Sequence, residues 1–385
     1  MVITMENMVL DCQLGNRRFN MINIFDLKKQ YEGVTFSSFM KIRELIMNGQ
    51  FVGGEALNEF EENFANYNKV KHCVGVGSGT DALILALKSL GVGPGDEVIV
   101  PANTYVATPF AVSHVGATPV FVDVDSTLYN VSVDDIRGAV TKKTKAVIIV
   151  HLYGNPVDVL PILNFTSKNN LYLIEDCAQA AGAEINGNKV GSFGDASCFS
   201  FYPTKNLGGI GQGGAVLTDN DVVAKKVREY GNVGRKTGSW YEYDVIGYNS
   251  RLDSINAVFL NECLFHLDEW NDRRIKLANI YYNLLNAGVP FSQPRGKHVY
   301  HLFEYKCKSK EDRNKLIEYL KLHNVGTGLH YPIPCHKQPV YKDLGYELPV
   351  SESLSDVLLS IPMNPMLTEN AVDYIARRIN QFRGE

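Results

Sequence analysis

A chain of 385 residues, 45% of them hydrophobic, exceeds the size at which one core keeps growing, so a large and a small domain are expected. Its formal net charge of -4, with Lys and Arg spread along the chain, leaves no basic footprint and excludes nucleic acid as a partner. Seven cysteines, odd in number and forming no C-x-x-C, write neither a disulfide framework nor a zinc site; with no apolar window of about 18 residues and no leader, they point to a reducing cytoplasm, no membrane and no metal.

Met21 opens "MINIFDLKKQY", a more natural start than Met1, and residues 1–20 are expected to form a disordered N-terminal extension. From Val70 short β-rich runs alternate with helical stretches: "CVGVGSG" then "TDALILALKSL", "DEVIVP" then "TYVATPFAVSHVG", "TPVFVDV" then "VSVDDIRGAV", "KAVIIVHLYG" then "VDVLPILNFTSKN", and "LYLIED". Near-continuous apolar strands joined by helices predict an α/β fold with a mostly parallel central sheet covered on both faces. "SCFSFY" and "GGAVLTD" follow as closely spaced strands, then a helix near Asp221 to Tyr230 and a long helical pattern from Arg251 to Leu285. The tail reads as α+β, with "YHLFEYKC" as a strand and "EDRNKLIEYLKLHN" and "NAVDYIARRINQF" as helices. The division is placed inside the long helix, giving a large domain over 21–265 and a small C-terminal domain over 266–385.

In a parallel sheet the ligand site lies at the carboxyl ends of the strands, and the unusual residues fall there. "GVGSGTDAL" ends a strand and opens a helix: Gly77, Ser78 and Gly79 admit close approach, Thr80 offers a hydroxyl, and the helix start supplies amides for a phosphate. The same stretch also reads as a tight turn with Thr80 as N-cap. Asp176 ends "LYLIED", where a half-buried carboxylate either caps the next turn or faces a cation such as a protonated ring nitrogen. Lys205, 29 positions on among glycines, is either a solvated loop charge or an amine placed to form a Schiff base. Anion clamp, acid and amine at successive sheet ends are together the parts that pyridoxal 5'-phosphate (PLP) needs, and they lie apart in sequence because they hold opposite ends of one planar ring. Tyr105 in "NTYVAT" could stack on that ring or simply pack in the core, and Ser200 could add a phosphate hydroxyl.

On these motifs, with "PGDEVIVPANTYVATPFAVSHVGATPVFVDVD", "IEDCAQAAGA", "GDASCFSFYPTKNLGGIGQGG", "GYNSRLDSINA" and "HYPIPCHKQ", the chain from Ile22 onward resembles the DegT/DnrJ/StrS aminotransferases of nucleotide-linked keto sugars. The resemblance implies a fold-type-I PLP enzyme in which Lys205 carries the cofactor and shuttles the proton, Asp176 pairs with the pyridine nitrogen, and Gln179 reaches the ring hydroxyl. Gly79, Thr80, Asp81 and Ser200 would hold the phosphate, and Tyr105 would match the stacking aromatic. Asn249 would reach the phosphate of the partner subunit, implying a homodimer with shared sites. Arg251, His330 and Tyr331 match positions contacting the nucleotide sugar; read from the residues, Arg251 also suits an ion pair with Asp253 or Glu242, and His330 a packed loop histidine. Gln212 stands where the family usually has Asp ("GQGG" for "GDGG"), and Asn256 where Gln is common.

Relatives that dehydrate sugars carry histidine at the lysine position, so Lys205 favours transamination. The resemblance further implies L-glutamate as donor, and "GTDAL" with "YPTKNLG" is similar to enzymes aminating C3 of a dTDP-linked 3-keto-6-deoxyhexose, whose products enter surface polysaccharides such as O-antigen. A 4-keto sugar aminotransferase and a PLP-binding regulator stay open beside it. A dinucleotide site is disfavoured, since the full G-x-G-x-x-G spacing is missing and no acid ends "DEVIVP".

Overall fold

The computed structural model describes residues 21–288 and 296–384; the expected extension over 1–20 lies outside them. Three helices come first, α1 (Leu27–Tyr31), α2 (Thr35–Met47) and α3 (Glu55–Asn68). An alternating run follows: β1 (His72–Val76), α4 (Gly79–Ser89), β2 (Glu97–Pro101), α5 (Ala107–His114), β3 (Thr118–Val122), α6 (Val133–Ala139), β4 (Thr144–Val150), α7 (Val159–Lys168) and β5 (Tyr172–Asp176). A small hairpin, β6 (Glu184–Ile185) and β7 (Asn188–Lys189), precedes β8 (Ala196–Ser200), β9 (Gly214–Thr218) and α8 (Asp221–Gly231). The chain closes with α9 (Ser254–Leu284), β10 (Phe303–Lys306), α10 (Lys310–Leu322), α11 (Pro349–Val357), β11 (Leu358–Ile361) and α12 (Glu369–Arg383).

Seven strands form one sheet in the order β1-β9-β8-β5-β4-β2-β3. The pairs β8–β5, β5–β4, β4–β2 and β2–β3 are parallel, while β9 runs against both β1 and β8. The α/β reading with a mostly parallel sheet therefore describes the fold. Both faces are covered, which is why strands such as Val98–Val100 and Ala146–Ile149 are apolar without alternation. On one face α4 packs with α5 and α8; its residues Ala82 to Leu87 are all buried, so a helix that is hydrophobic all round has no solvent face to spare. On the other, Phe60 and Phe64 of α3 meet Phe199, Phe201 and α9.

α9 runs 31 residues and serves two cores: Leu260, Cys263 and Leu267 join the sheet core, whereas Leu277, Ala278 and Tyr281 join a second cluster with β10, β11 and α12. The expected strand "YHLFEYKC" shortens to β10, because Tyr300 takes a left-handed backbone (φ 44) that breaks extension before it. Among the described residues no helix is long and apolar enough to cross a membrane, and the six cysteines are free and buried.

Candidate active site

β5 ends in two consecutive acids whose side chains point to opposite faces, and the sequence treats them differently. Glu175 is fully buried and accepts from the amides of Gly191, Phe193 and Gly194 at 2.8–2.9 Å, from Ser197 Oγ at 3.0 Å and from His151 Nε2 at 3.0 Å. Burial pushes its carboxyl up, but His151 and the amides outweigh that and hold it below the ordinary value. His151 Nδ1 accepts from Val157 N at 3.0 Å, so the ring is a neutral donor toward Glu175. His151, Glu175 and Cys177 lie within 4.8 Å as ligand atoms, yet these hydrogen bonds already occupy the acid and the imidazole. The cluster is a structural clamp on the end of β5.

Asp176, also buried, faces the cleft. Its Oδ2 accepts from Thr108 Oγ1 at 2.9 Å and its Oδ1 from Ala178 N at 3.1 Å, with Thr104 Oγ1 backing Thr108 at 3.0 Å. Desolvation raises its pKa against those donors and against the charge of Lys205. Of the two alternatives posed from sequence, Oδ1 makes the turn-capping contact, while Oδ2 is held by the Thr108 hydroxyl.

At the end of β1 the helix α4 is capped by Ser78, whose Oγ accepts from Asp81 N at 3.1 Å; the expected cap Thr80 already lies inside the first turn. Ser78 is extended (φ -163, ψ 167) and so can reach forward, which Thr80 in helical geometry cannot. The amides of Gly79 and Thr80 have no acceptor within the helix and sit at its positive end. The Asp81 carboxylate accepts from Ser250 Oγ at 2.8 Å, and Ser250 Oγ in turn accepts from Gly77 N at 2.9 Å. A Cβ on Gly79 would lie 2.7 Å from Ser200 Cβ, so only glycine lets the turn close on the end of β8 and bring the Ser200 hydroxyl beside the helix start.

Lys205 follows β8 in a tight turn (Lys205 N to Tyr202 O, 2.8 Å), half-buried, and desolvation lowers its amine to about 8 while the charge of Asp176 opposes the shift. Its charge in turn depresses His330, which burial and Lys205 hold at about 4, and the buried His301, whose Nδ1 donates to Asn206 Oδ1 at 3.1 Å. Gln179 Oε1 accepts from Tyr153 N at 2.7 Å and its Nε2 donates to Tyr331 OH at 3.0 Å. The Tyr331 ring stands 5.5 Å from that of Tyr105, which is 54% exposed into the cleft rather than packed in the core. Tyr153, left-handed at φ 61, donates its hydroxyl to the carbonyl of His330 and so ties the loop after β4 to the segment that carries His330. Lys205, Asp176, Gln179, Tyr105, His330 and Tyr331 are thus brought to one cleft.

Asn249 and Arg251 are exposed and flank Ser250 at the rim. Arg251 donates to Asn232 Oδ1 at 2.9 Å and to Asn249 Oδ1, so neither Asp253 nor Glu242 is its partner; Glu242 pairs with Lys236 at 3.1 Å. The two departures meet: Asn256 Nδ2 donates to Gln212 O at 2.8 Å and its Oδ1 accepts from Ile210 N at 3.1 Å, gripping the glycine loop between β8 and β9. Sequence reasoning missed Thr108, Tyr153, Ser250 and this role of Asn256.

The donor set fits PLP. The open amides of Gly79 and Thr80 with Ser200 form an anion cradle, Asp176 is a buried carboxylate with room for one cationic donor, and Lys205 is an amine of lowered basicity beside it.

Residues 36–380 match the DegT/DnrJ/EryC1/StrS aminotransferase family. The chain is 41% identical over 367 residues to a UDP-N-acetyl-3-dehydro-alpha-D-glucosamine 3-aminotransferase of Acidithiobacillus ferrooxidans, covering 94% of this chain and 97% of the relative. It is 40% identical over 367 residues to a pleiotropic regulatory protein of Geobacillus stearothermophilus (94% and 98% covered). Identity is also 40% over 347 residues to a dTDP-3-amino-3,6-dideoxy-alpha-D-galactopyranose transaminase of Aneurinibacillus thermoaerophilus (89% and 94%). Among solved structures, S. venezuelae DesV in complex with a ketimine intermediate superposes with a TM-score of 0.91 at 37% identity, covering 95% of this chain and all of DesV.

Proposed function

The chain belongs to the DegT/DnrJ/EryC1/StrS aminotransferase family, and from that premise we propose that it uses PLP to move the amino group of L-glutamate onto C3 of a dTDP-linked 3-keto-6-deoxyhexose. The observation that carries the reading is the placement of Lys205, its amine lowered to about 8, in the turn after β8 and electrostatically coupled to the buried carboxylate of Asp176 at the end of the neighbouring strand β5. Bound PLP supplies the electron sink. Lys205 would attach it, then hold and move the proton at Nζ; an amine of this basicity both gives up and recovers a proton near neutral pH. Asp176 would keep the ring nitrogen protonated, with Thr108 and Ala178 fixing its orientation. Gly79, Thr80 and Ser200 would take the phosphate, with Asp81 buttressing the turn through Ser250, and Gln179 would turn toward the ring hydroxyl. Tyr105 would cover the ring face, and Arg251, His330 and Tyr331 would meet the nucleotide sugar.

C3 is favoured by the "GTDAL" and "YPTKNLG" motifs and by two relatives named for 3-amino products. The dTDP moiety rests on the motifs and on one of those relatives. Purified protein incubated with glutamate and a panel of 3-keto and 4-keto sugars on dTDP and UDP tests both; a 4-amino product overturns the regiochemistry and a UDP preference overturns the nucleotide. The similarity to a regulatory protein supports a second reading as a PLP-binding regulator. Glutamate-dependent bleaching of the visible PLP band separates them, since a regulator has no need of the half-reaction.

We place the domain division at 265/266, inside α9, and infer a cytoplasmic homodimer with shared sites. In support, Phe36 of α2 and Tyr241 and Ile246 of the loop carrying Asn249 are 82%, 91% and 92% exposed, an apolar load that a partner subunit would cover.

A further inference from the structure

His330 reaches the cleft from the small domain, and what stands behind it is a buried carboxylate that no step above uses. Its Nδ1 lies 2.7 Å from Ser360 Oγ on β11, and Ser360 Oγ is hydrogen-bonded to Glu304 Oε1 on the neighbouring strand β10. Ser360 is fully buried and Glu304 nearly so. The second carboxyl oxygen, Glu304 Oε2, is buried without a partner among the described residues. Nε2 of His330, at the other end of the line, has no hydrogen-bond partner among them either.

A serine hydroxyl has one proton, and the buried Ser360 Oγ has no partner but His330 and Glu304 among the described residues, so that proton goes to one of the two and leaves two wirings. If Glu304 is ionised, Ser360 donates to it, His330 must donate from Nδ1, and Nε2 is left as an acceptor. If Glu304 is protonated, its O–H donates to Ser360, Ser360 donates to Nδ1, and Nε2 carries the hydrogen. A buried carboxylate with one oxygen unpartnered and no cation against it disfavours the charged form. We propose that Glu304 and Ser360 are positioning residues that set the tautomer of His330, so that with Glu304 protonated Nε2–H is offered to an acceptor-only oxygen, carbonyl or phosphate, of the sugar nucleotide. This rests on reading the cleft as the sugar-nucleotide site.

The electrostatic surroundings agree. Burial raises Glu304 to about 8, opposed only by the Ser360 hydrogen bond. The titratable groups coupled to it are Tyr129, Tyr153 and Tyr331, all raised by burial and hence neutral, while the neutral His298, held low by burial, shares a small cavity with it. At the other end Lys205 and His301 face His330, which stays uncharged through the neutral range because burial and Lys205 hold it at about 4. His330 therefore changes tautomer, not charge, as pH crosses the Glu304 value. Below it Nε2 donates; above it Nε2 repels an acceptor oxygen.

The test uses PLP-loaded enzyme with dTDP-3-keto-6-deoxyglucose as acceptor and glutamate as donor, each half-reaction followed separately between pH 6.5 and 9.5. In the wild type the KM for the sugar is expected to rise about tenfold from pH 7 to pH 9. Glu304→Gln, whose amide N–H is a permanent donor to Ser360, keeps the low KM across the range. Ser360→Ala cuts the line and gives a raised, pH-independent KM. The glutamate half-reaction has the same pH profile in all three. A flat wild-type KM, or a wild-type rise retained in either variant, overturns the relay, and the wild-type profile decides even if a variant fails to fold. Absence of the glutamate half-reaction in the wild type overturns the aminotransferase reading instead, and a working half-reaction with no amination of this sugar overturns the substrate assignment.

Discussion

Thr108→Val is the sharpest probe of how this cleft supports its acid. The substitution preserves shape and removes one hydroxyl. Asp176 has one described donor on each oxygen, Thr108 Oγ1 at 2.9 Å and Ala178 N at 3.1 Å, so the change strips Oδ2 of its protein partner. Thr104, which contacts Thr108 Oγ1 at 3.0 Å, cannot take over from the far side. A hydrogen bond to a charged group contributes roughly 1.5–3 kcal/mol. Losing it disfavours the ionised carboxylate, whose pKa burial already raises, and with it the protonated ring nitrogen that the carboxylate would sustain in the proposed site. At about 1.4 kcal/mol per tenfold, the glutamate half-reaction should slow by about 10- to 100-fold, the melting temperature falling only slightly. Stopped-flow decay of the visible PLP band measures it. A half-reaction within twofold of wild type in a folded, PLP-loaded Thr108→Val protein refutes the assignment of Asp176 as the ring-nitrogen partner held by Thr108.

Three further outcomes follow from the same geometry. If Lys205 is the amine that takes up PLP, only its neutral form would react, and with its pKa lowered to about 8 the rate of reconstituting apoenzyme should climb about tenfold per pH unit below 8 and level off above it; a climb continuing toward 10.5 would mean a solvated lysine. Glu175→Ala leaves three amides, Ser197 and His151 without their acceptor and should destabilise the fold by about 3–5 kcal/mol, read as a lowered thermal midpoint with PLP bound or absent. If the proposed homodimer with shared sites is formed through the exposed apolar face of α2, Phe39→Asp should give a monomer in gel filtration and abolish turnover; an active monomer, or an unchanged elution volume, would refute it.

What could be read from the sequence, and what could not, divides along a physical line. Lys205, Asp176 and the glycine turn were legible because each sits at the end of an apolar run, and a parallel sheet gathers such ends by topology alone. The alternation of strand and helix from β1 to β5 was legible for the same reason, since burial on both faces erases the period of two. The residues that hold those groups in place were not. Thr108 lies 68 positions from Asp176 and Ser250 lies 173 from Gly77; no local pattern announces a hydroxyl that will find a partner across the fold. Asn256 shows the limit most clearly. The sequence shows only that it stands where glutamine is common, yet its side chain clamps the amide of Ile210 and the carbonyl of Gln212. Its partners at 210 and 212 are backbone groups 46 and 44 positions away, so only the fold that lays the glycine loop against α9 shows the contact. The chemistry-bearing residues are thus set by where strands end, and their tuning by contacts between elements, which is why Glu304, on a strand with no motif of its own, emerges only once β10 and β11 are paired behind His330.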